Sequence, residues 1–546
     1  MTLSYSQLSL FEQKTTKVKK LSQRSHPFSM DQQRIFNQIK TSNQPVLIQA
    51  VAGAGKTTTL LEISRRIDGT VLFCAFNKHI ADEIQKKVQK QKDITVTTIH
   101  AHGRRALGNC QVNSRKYLNI IYECTKTLLA DQKFLFPALF TNLGFREANV
   151  FQVANEWLRD VVSLGQSYLA RGSEILKVLE DNNKGNLLIN DETLIETYDF
   201  ICEQGANRYL LHREVDFIDM IWLPNYLGLT SSLPKYDAVL IDEVQDLNKA
   251  QAEIALHSVK PGGQIVGAGD PHQSIYGFAG ADLNSIENFI KRTGAMTLPL
   301  NTCYRCPVSH IELAQKYNPN IRPGKTEIGE VFYWSLEEYY ENCALGDLVI
   351  SRKTAPVVAL ALELIARNIP CRIKGREIAN DMIQIINLTA PDPPNVITHI
   401  QRIKQFFDQL NKANNNNHQI IAQNHDKYLY ISAILMANQS KSLPEIIEAI
   451  NKLFAGSELN QESICLSTVH RAKGLEAERV VILNPKDMPM LFPNSHPSQI
   501  QQEQNLLYVA HTRAKKTLIF TTISVKKSEL NLPSIWQIDE AEMEEY

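Results

Sequence analysis

The sequence lacks a surplus of either charge: 58 Lys and Arg stand against 58 Asp and Glu, so global charge says nothing about partners. It also lacks a disulfide framework. Nine cysteines are scattered, and the close pair Cys303 and Cys306 has no second Cys-x-x-Cys to complete a zinc site. Free thiols in a reducing compartment are the expectation. No apolar run approaches a membrane span, and the first residues lack the apolar core of a secretory signal, so no membrane role is expected. What remains is ordinary for a globular chain: 43% hydrophobic and 21% charged residues over 546 positions, enough for several domains. Local charge is uneven. Lys14, Lys17, Lys19, Lys20 and Arg24 make residues 1–26 a basic tail, and Asp539, Glu540, Glu542, Glu544 and Glu545 make 525–546 an acidic one. Both read as solvated, disordered ends.

The chemistry begins at VLIQAVAGAGKTTTL, residues 46–60. A short apolar run breaks into a glycine-bearing turn and then into helical spacing, the layout of a phosphate-binding loop. The backbone N–H groups of Ala52, Gly53, Ala54 and Gly55 would wrap a β-phosphate, with the helix N-terminus behind them. Lys56 would reach the β- and γ-phosphates, Thr57 would ligate Mg²⁺, and Thr58 completes the turn. A nucleoside triphosphate is the expected ligand. Upstream, Ser29 caps a helix carrying Ile35, Phe36 and Ile39, and its Gln32 is the candidate for an adenine edge.

The pattern after the loop is βαβαβ, with strands at 71–75 and 94–99, predicting a parallel sheet covered by helices. From about 104 to 233 helical patterns dominate, as in 117–129 and 150–164. The sheet resumes at Tyr236–Ile241 and ends in Asp242-Glu243, which sets two carboxylates at the carboxyl edge of the sheet. Asp242 would hold Mg²⁺ and Glu243 would orient the attacking water. The next strand, 264–268, delivers Gln273 to a place where an amide can sense a γ-phosphate. A second α/β set follows, with strands at 347–351, 371–374, 464–468, 479–483 and 516–522. The spacing thus gives an α/β fold of two parallel-sheet units. The first is 27–103 with 234–303, interrupted by a helical insertion, 104–233. The second is 304–375 with 464–524, interrupted by a reduced helical insertion, 376–463, whose run Asn414–Asn417 reads as a loop.

The residues resemble superfamily 1 helicases of the UvrD/Rep type, over about 28–524. AVAGAGKTT resembles motif I, AFNKHIADEI motif Ia, with TIH after it. LIDEVQD resembles motif II, GDPHQSIYGF motif III, NTCYRCP motif IV, STVHRAKGLEA motif V and QNLLYVAHTRA motif VI. QSIYG resembles the UvrD branch rather than the branch of opposite polarity. AFNK resembles the F-box helicase subgroup, with no F-box legible. The resemblance implies two RecA-like P-loop domains with ATP and Mg²⁺ between them and single-stranded DNA across the top. It implies that Tyr304 stacks on adenine, that Glu476 lies near the ribose, and that Arg305 and Arg513 reach the γ-phosphate. For DNA it implies Phe76, Asn77, His100, Tyr276, Phe278 and His470; a core position for Phe76 stays open.

There are departures from that pattern. Ala50 replaces the first loop glycine, Phe278 stands where many relatives have Trp, and Ala279 stands where an Arg is common. The second insertion is far shorter than in UvrD or Rep, and no nuclease signature follows motif VI. The expectation is an ATP-dependent 3′→5′ single-strand translocase and helicase acting on single strands and their junctions with duplex. The alternative is a weakly unwinding translocase or end sensor that clears proteins or serves a partner nuclease or a repair or defence protein. The expected location is cytoplasmic and nucleoid-associated, or nuclear in a eukaryote.

Overall fold

The computed structural model describes residues 28–75, 77–88, 93–131, 133, 147–182, 189–275, 284–391, 394–413, 418–454, 462–492, 495 and 497–523. The two expected tails, the run Asn414–Asn417 and the residues Phe76, Tyr276 and Phe278 lie outside the described residues.

Among the described residues two six-stranded sheets dominate. The first contains β1 (Val46–Ala50), β2 (Val71–Ala75), β3 (Ile94–Thr98), β4 (Tyr236–Ile241), β5 (Val259–Gly269) and β6 (Met296–Leu300), in the order β3-β2-β4-β5-β1-β6. Every pairing in it is parallel. The register sets Ile48 beside Ala268 and Phe73 beside Leu240, all fully buried. Helices cover both faces, so the central strand β2 is buried at every position, whereas the edge strands β3 and β6 are only partly buried. Burial of each such side chain contributes about 1.5–3 kcal/mol before chain entropy is counted. Parallel strands all end on the same edge, and that edge collects the loops after Ala50, Ile241 and Gly269.

The second sheet contains β7 (Glu330–Tyr333), β8 (Leu348–Ser351), β9 (Cys371–Ile373), β10 (Ile464–Thr468), β11 (Ala477–Leu483) and β12 (Ala514–Thr521), in the order β7-β12-β11-β8-β10-β9. It too is parallel throughout. Between β3 and β4 the chain is mainly helical, with long helices at Lys116–Ala130, Glu147–Ser167 and Asp191–His212. Between β9 and β10 the described residues form four helices, Arg376–Thr389, Val396–Ala413, His418–Ala437 and Leu443–Leu453. No helix among the described residues is long and apolar enough to cross a membrane.

The structure departs from the sequence reading in a few places. Strand β3 stops at Thr98, whose hydroxyl accepts the Ala101 N–H at 3.3 Å and caps a short helix, Ile99–Gly103. Strand β5 starts at Val259, because a register shift after Tyr236 absorbs Lys260 to Gly263 as an irregularity. Edge strand β7 was not expected at all, and most of its side chains are exposed.

Candidate active site

Gly55 opens the helix Lys56–Ser64 in the left-handed region, φ +84°, and brings no side-chain cap, leaving the first N–H groups of the helix to a ligand. Gly53 is also left-handed, φ +68°, and a Cβ there would stand 2.7 Å from Arg305 Cβ and 2.9 Å from Cys303 Sγ. The turn is therefore pressed against the loop after β6. Ala52, Ala54 and Lys56 are buried beneath it, and Thr58 is exposed.

Lys56 meets three carboxylates. Its Nζ lies 3.4 Å from Glu243 Oε2. Burial pulls the ammonium pKa down, but the charges of Glu243, Asp270 and Asp242 outweigh it and raise it. Asp242 goes the other way: burial, then the Glu243 charge, lift its carboxyl above the ordinary range. Glu243 is pushed up by burial but held below its ordinary value by Lys56 and Lys473. Its backbone is left-handed, φ +55°, a conformation that costs a non-glycine residue about 1–3 kcal/mol and clusters at functional sites. Gln245 Nε2 donates to Glu243 Oε2 at 2.6 Å, and Gln245 Oε1 accepts the Asp270 N–H at 3.0 Å, tying the two acidic loops together.

Magnesium fits this donor set. Thr57 Oγ1 donates to Asp242 Oδ2 at 2.7 Å, so one hydroxyl and one carboxylate meet beside the turn. Few protein oxygens suit an ion that keeps its waters and takes phosphate oxygens. No cluster of three or more His, Cys, Asp or Glu side chains able to hold a metal occurs among the described residues.

The structure commits several expected ligand contacts to protein partners. Gln32 Oε1 accepts the Ser29 N–H at 3.0 Å in a capping box, and its Nε2 donates to Thr59 at 2.9 Å, close above Gly55. Gln273 Nε2 donates to Asp270 at 2.6 Å. Tyr304 sits over the turn through its N–H to Gly53 O, 3.0 Å. Arg305 does not point free into the cleft: Nε donates to Glu476 at 2.5 Å and Nη1 to Thr512 O at 3.1 Å. Glu476 also pairs with Lys515 at 2.7 Å. Arg513 is 1% exposed and donates to Val509 O, Leu475 O and Thr512 Oγ1 within its own unit.

Contacts missed at the level of motifs join the two sheets. Lys473 Nζ, from the loop after β10, donates to both Asp246 oxygens at 2.6 and 2.7 Å and to Gln273 O at 2.5 Å. Tyr508, on the helix Pro497–His511, accepts the Ala52 N–H at 2.8 Å and donates to Asp270 at 3.4 Å. Asn505 donates to Pro271 O and Ser274 O. Lys473 and Tyr508 both lie within quoted motifs, so the signal was present, but only the fold shows whom they face.

The expected DNA residues that are described make separate contacts. Asn77 Oδ1 accepts the Ile80 N–H at 2.9 Å and caps the helix Lys78–Val88. His100 stacks on Phe217, ring centroids 4.2 Å apart at 19°, and burial lowers its pKa to about 4, so it offers a neutral ring rather than a charge. Phe217, unremarked in the sequence, is 60% exposed and lines a cavity of about 910 Å³ together with Arg159, Phe406 and Lys427. His470 is likewise held neutral, by burial and by the charges of Arg352 and Arg471.

The match to known families follows the same two-part plan. Residues 30–294 match the UvrD/REP helicase N-terminal domain, and residues 188–525 match the UvrD-like helicase C-terminal domain. F-box DNA helicase 1 of Gallus gallus is 25% identical over 90% of this chain and 48% of its own length. The probable DNA helicase II homolog of Mycoplasma capricolum is 23% identical over 88% of this chain and 82% of its own. ATP-dependent DNA helicase PcrA of Leuconostoc citreum is 21% identical over 91% and 83%. The chain spans about half the length of the avian relative and about four fifths of the two bacterial ones. With a phosphate-binding turn, a paired acidic edge and a second parallel sheet facing them, matched by models over both halves, the chain belongs to the family of UvrD-like helicases.

Proposed function

We propose that the chain is an ATP-hydrolysing DNA helicase that moves 3′→5′ along single-stranded DNA and parts the strands ahead of it. The observation that carries this reading is the convergence of Lys56, Thr57, Asp242, Glu243 and Gln273 on one cleft, with Arg305 beside the turn and Lys473 reaching in from the second sheet. Lys56 and the uncapped first N–H groups of the helix bind phosphate, whereas the expected Ala52 and Ala54 N–H groups are taken by Tyr508 and by Val51 O. Mg²⁺ held by Thr57 and Asp242 would offset charge on the β- and γ-phosphates. Glu243, kept ionised by Lys56 and Lys473, orients the attacking water. Arg305 exchanges Glu476 for phosphate when the cleft closes, and stabilises charge there. Tyr304, seated on the turn, stacks on the base. Arg513, already bound to Val509 O and Leu475 O, supports Arg305 from behind or moves on closure. For the strand, the exposed Phe217 ring on His100 supplies a sequence-blind platform, because every base has a π-face.

ATP turnover with and without single-stranded DNA tests the reading. Glu243→Gln should keep ATP binding and lose about 10²–10⁴ in rate, and Lys56→Ala should lose binding. Strand displacement from 3′-tailed but not 5′-tailed duplexes is expected. A Glu243→Gln protein that hydrolyses ATP at the parent rate would sink the assignment. A second reading, a weakly unwinding translocase that clears proteins or serves a nuclease, is favoured by the small set of four helices in the second insertion. It predicts that monomers open only short duplexes.

A further inference from the structure

Tyr304 and Arg305 lie between two cysteines whose sulfurs the fold brings together. Cys303 closes a two-residue strand paired with Arg322–Pro323, and Cys306 precedes Pro307, the cap of the helix Val308–Ala314. Cys303 Sγ accepts the Cys306 N–H at 3.5 Å, while the Cys306 Sγ lies 3.5 Å from Thr512 O. That carbonyl also accepts Arg305. Both cysteines are fully buried, and Cys303 Sγ rests on Gly53 so closely that a methyl group there would stand 2.9 Å from it.

Buried cysteines are more often small core hydrophobes than reactive groups. Three features separate this pair from that reading. The thiols share one turn, with one as acceptor and the other as donor. Among the described residues they belong to no metal-holding cluster. They also sit where the two sheets meet, between Gly53 and Thr512. The thiols of Cys74, Cys124, Cys202, Cys371 and Cys465 are all pushed up by burial. Cys303 is held below the usual thiol range by the Cys306 thiol and by the backbone N–H groups of Cys306 and Arg305, and Cys306 is raised.

We propose that Cys303 and Cys306 form a reversible disulfide, closed by a peroxide and reopened by a thiol reductant, which arrests the loop carrying Tyr304 and Arg305 on the phosphate-binding turn. The Cys303 thiolate attacks a peroxide oxygen, breaking the O–O bond, and becomes a sulfenic acid as hydroxide leaves and takes a proton. The Cys306 sulfur then attacks the sulfenic sulfur, the S–S bond forms and water leaves. Two thiols and one hydrogen peroxide give one disulfide and two waters. The cross-link fixes the backbone on both sides of Arg305, so its guanidinium cannot leave Glu476 and follow closure. The functional consequence rests on the ATP-site reading above, whereas the chemistry does not.

The test treats the full-length chain with hydrogen peroxide and maps peptides without reduction. Trypsin cuts after Arg305, so the peptides holding Cys303 and Cys306 stay joined only through a disulfide. An arginine of this kind is worth roughly 10³–10⁵ in turnover, so the linked protein should lose at least about tenfold of its DNA-stimulated ATP turnover. Dithiothreitol should restore it. Cys303→Ser should keep the reduced rate and ignore peroxide. If that variant fails to fold, the peptide map of the parent chain still decides. Unjoined peptides, a linked protein as fast as the reduced one, or equal peroxide sensitivity in Cys303→Ser would overturn the proposal. A reduced protein without ATP turnover would instead sink the ATP-site reading and leave the peptide map standing.

Discussion

At the scale of single residues the cleft holds more negative charge than it can pair. Asp242, Glu243 and Asp270 all face Lys56, and burial raises both Asp242 and Asp270. Such an excess suits a site that waits for a cation and a lysine-bound phosphate, and it costs stability until they arrive. The sign follows from linkage. The folded Asp242 carboxyl keeps its proton to higher pH than the unfolded one, so the folded state binds more protons across that window. Its burden is absent below the ordinary carboxyl range and complete once pH exceeds the raised value. Asp242→Asn keeps an amide oxygen for the Thr57 hydroxyl and removes the charge. Its melting temperature should exceed that of the parent at about pH 8, and the gap should close toward about pH 4. A pH series of thermal melts checks this, and a variant less stable at every pH would refute it. ATP turnover should fall in the same variant.

Among the elements, what was legible and what was not divides along physical lines. Strands β1, β2 and β4 were plain because they are almost wholly buried, and β1 and β4 run on into glycine and acid signals. Edge strand β7 was invisible: its side chains are mostly solvated, and only its pairing with β12, Val331 beside Leu518, makes it a strand. Of the site, the phosphate turn and the acidic pair could be read directly, because their chemistry demands neighbours in sequence. Phe217 could not. In sequence, Val215-Asp216-Phe217-Ile218 carries no signal that sets Phe217 apart. The fold anchors that turn from below instead: Asp219, fully buried, accepts Lys116 at 2.5 Å, Tyr117 at 2.9 Å and the Asp216 N–H at 2.7 Å. The phenyl ring is left projecting. Phe217→Ala should therefore leave the melting temperature and basal ATP turnover near the parent values, as exposed substitutions do. Single-strand affinity should drop by about 1–3 kcal/mol, roughly 5- to 150-fold. Fluorescence anisotropy with labelled oligonucleotides reads it, and unchanged affinity would remove Phe217 from the strand path.

Across the whole molecule, the question is how an event at one sheet reaches the other. Lys473 offers a route. It belongs to the loop after β10, yet its ammonium is buried on Asp246 and on the carbonyl of Gln273, both delivered by the first sheet. Gln273 in turn donates to Asp270, whose N–H is held by the Gln245 that also grips Glu243. Any shift of Gln273 toward a phosphate must therefore pull on Lys473, while Tyr508 holds Ala52 and Asp270 from the same side. Breaking one partner of a buried pair costs about 3–5 kcal/mol, because the other charge is left without compensation. Here the pair spans two sheets packed mainly in separate clusters, joined by Tyr508 and Ile275, so much of the cost falls on their docking. Lys473→Met should loosen docking by roughly 10²–10⁴ in its equilibrium constant. The radius of gyration from small-angle scattering should rise, and the KM for ATP should rise with it. Adding Asp246→Asn removes the stranded charge and should recover much of the compact form. An unchanged scattering profile in Lys473→Met, with one cooperative melt at lower temperature, would place the pair in a single folding core and take it off the route between the sheets.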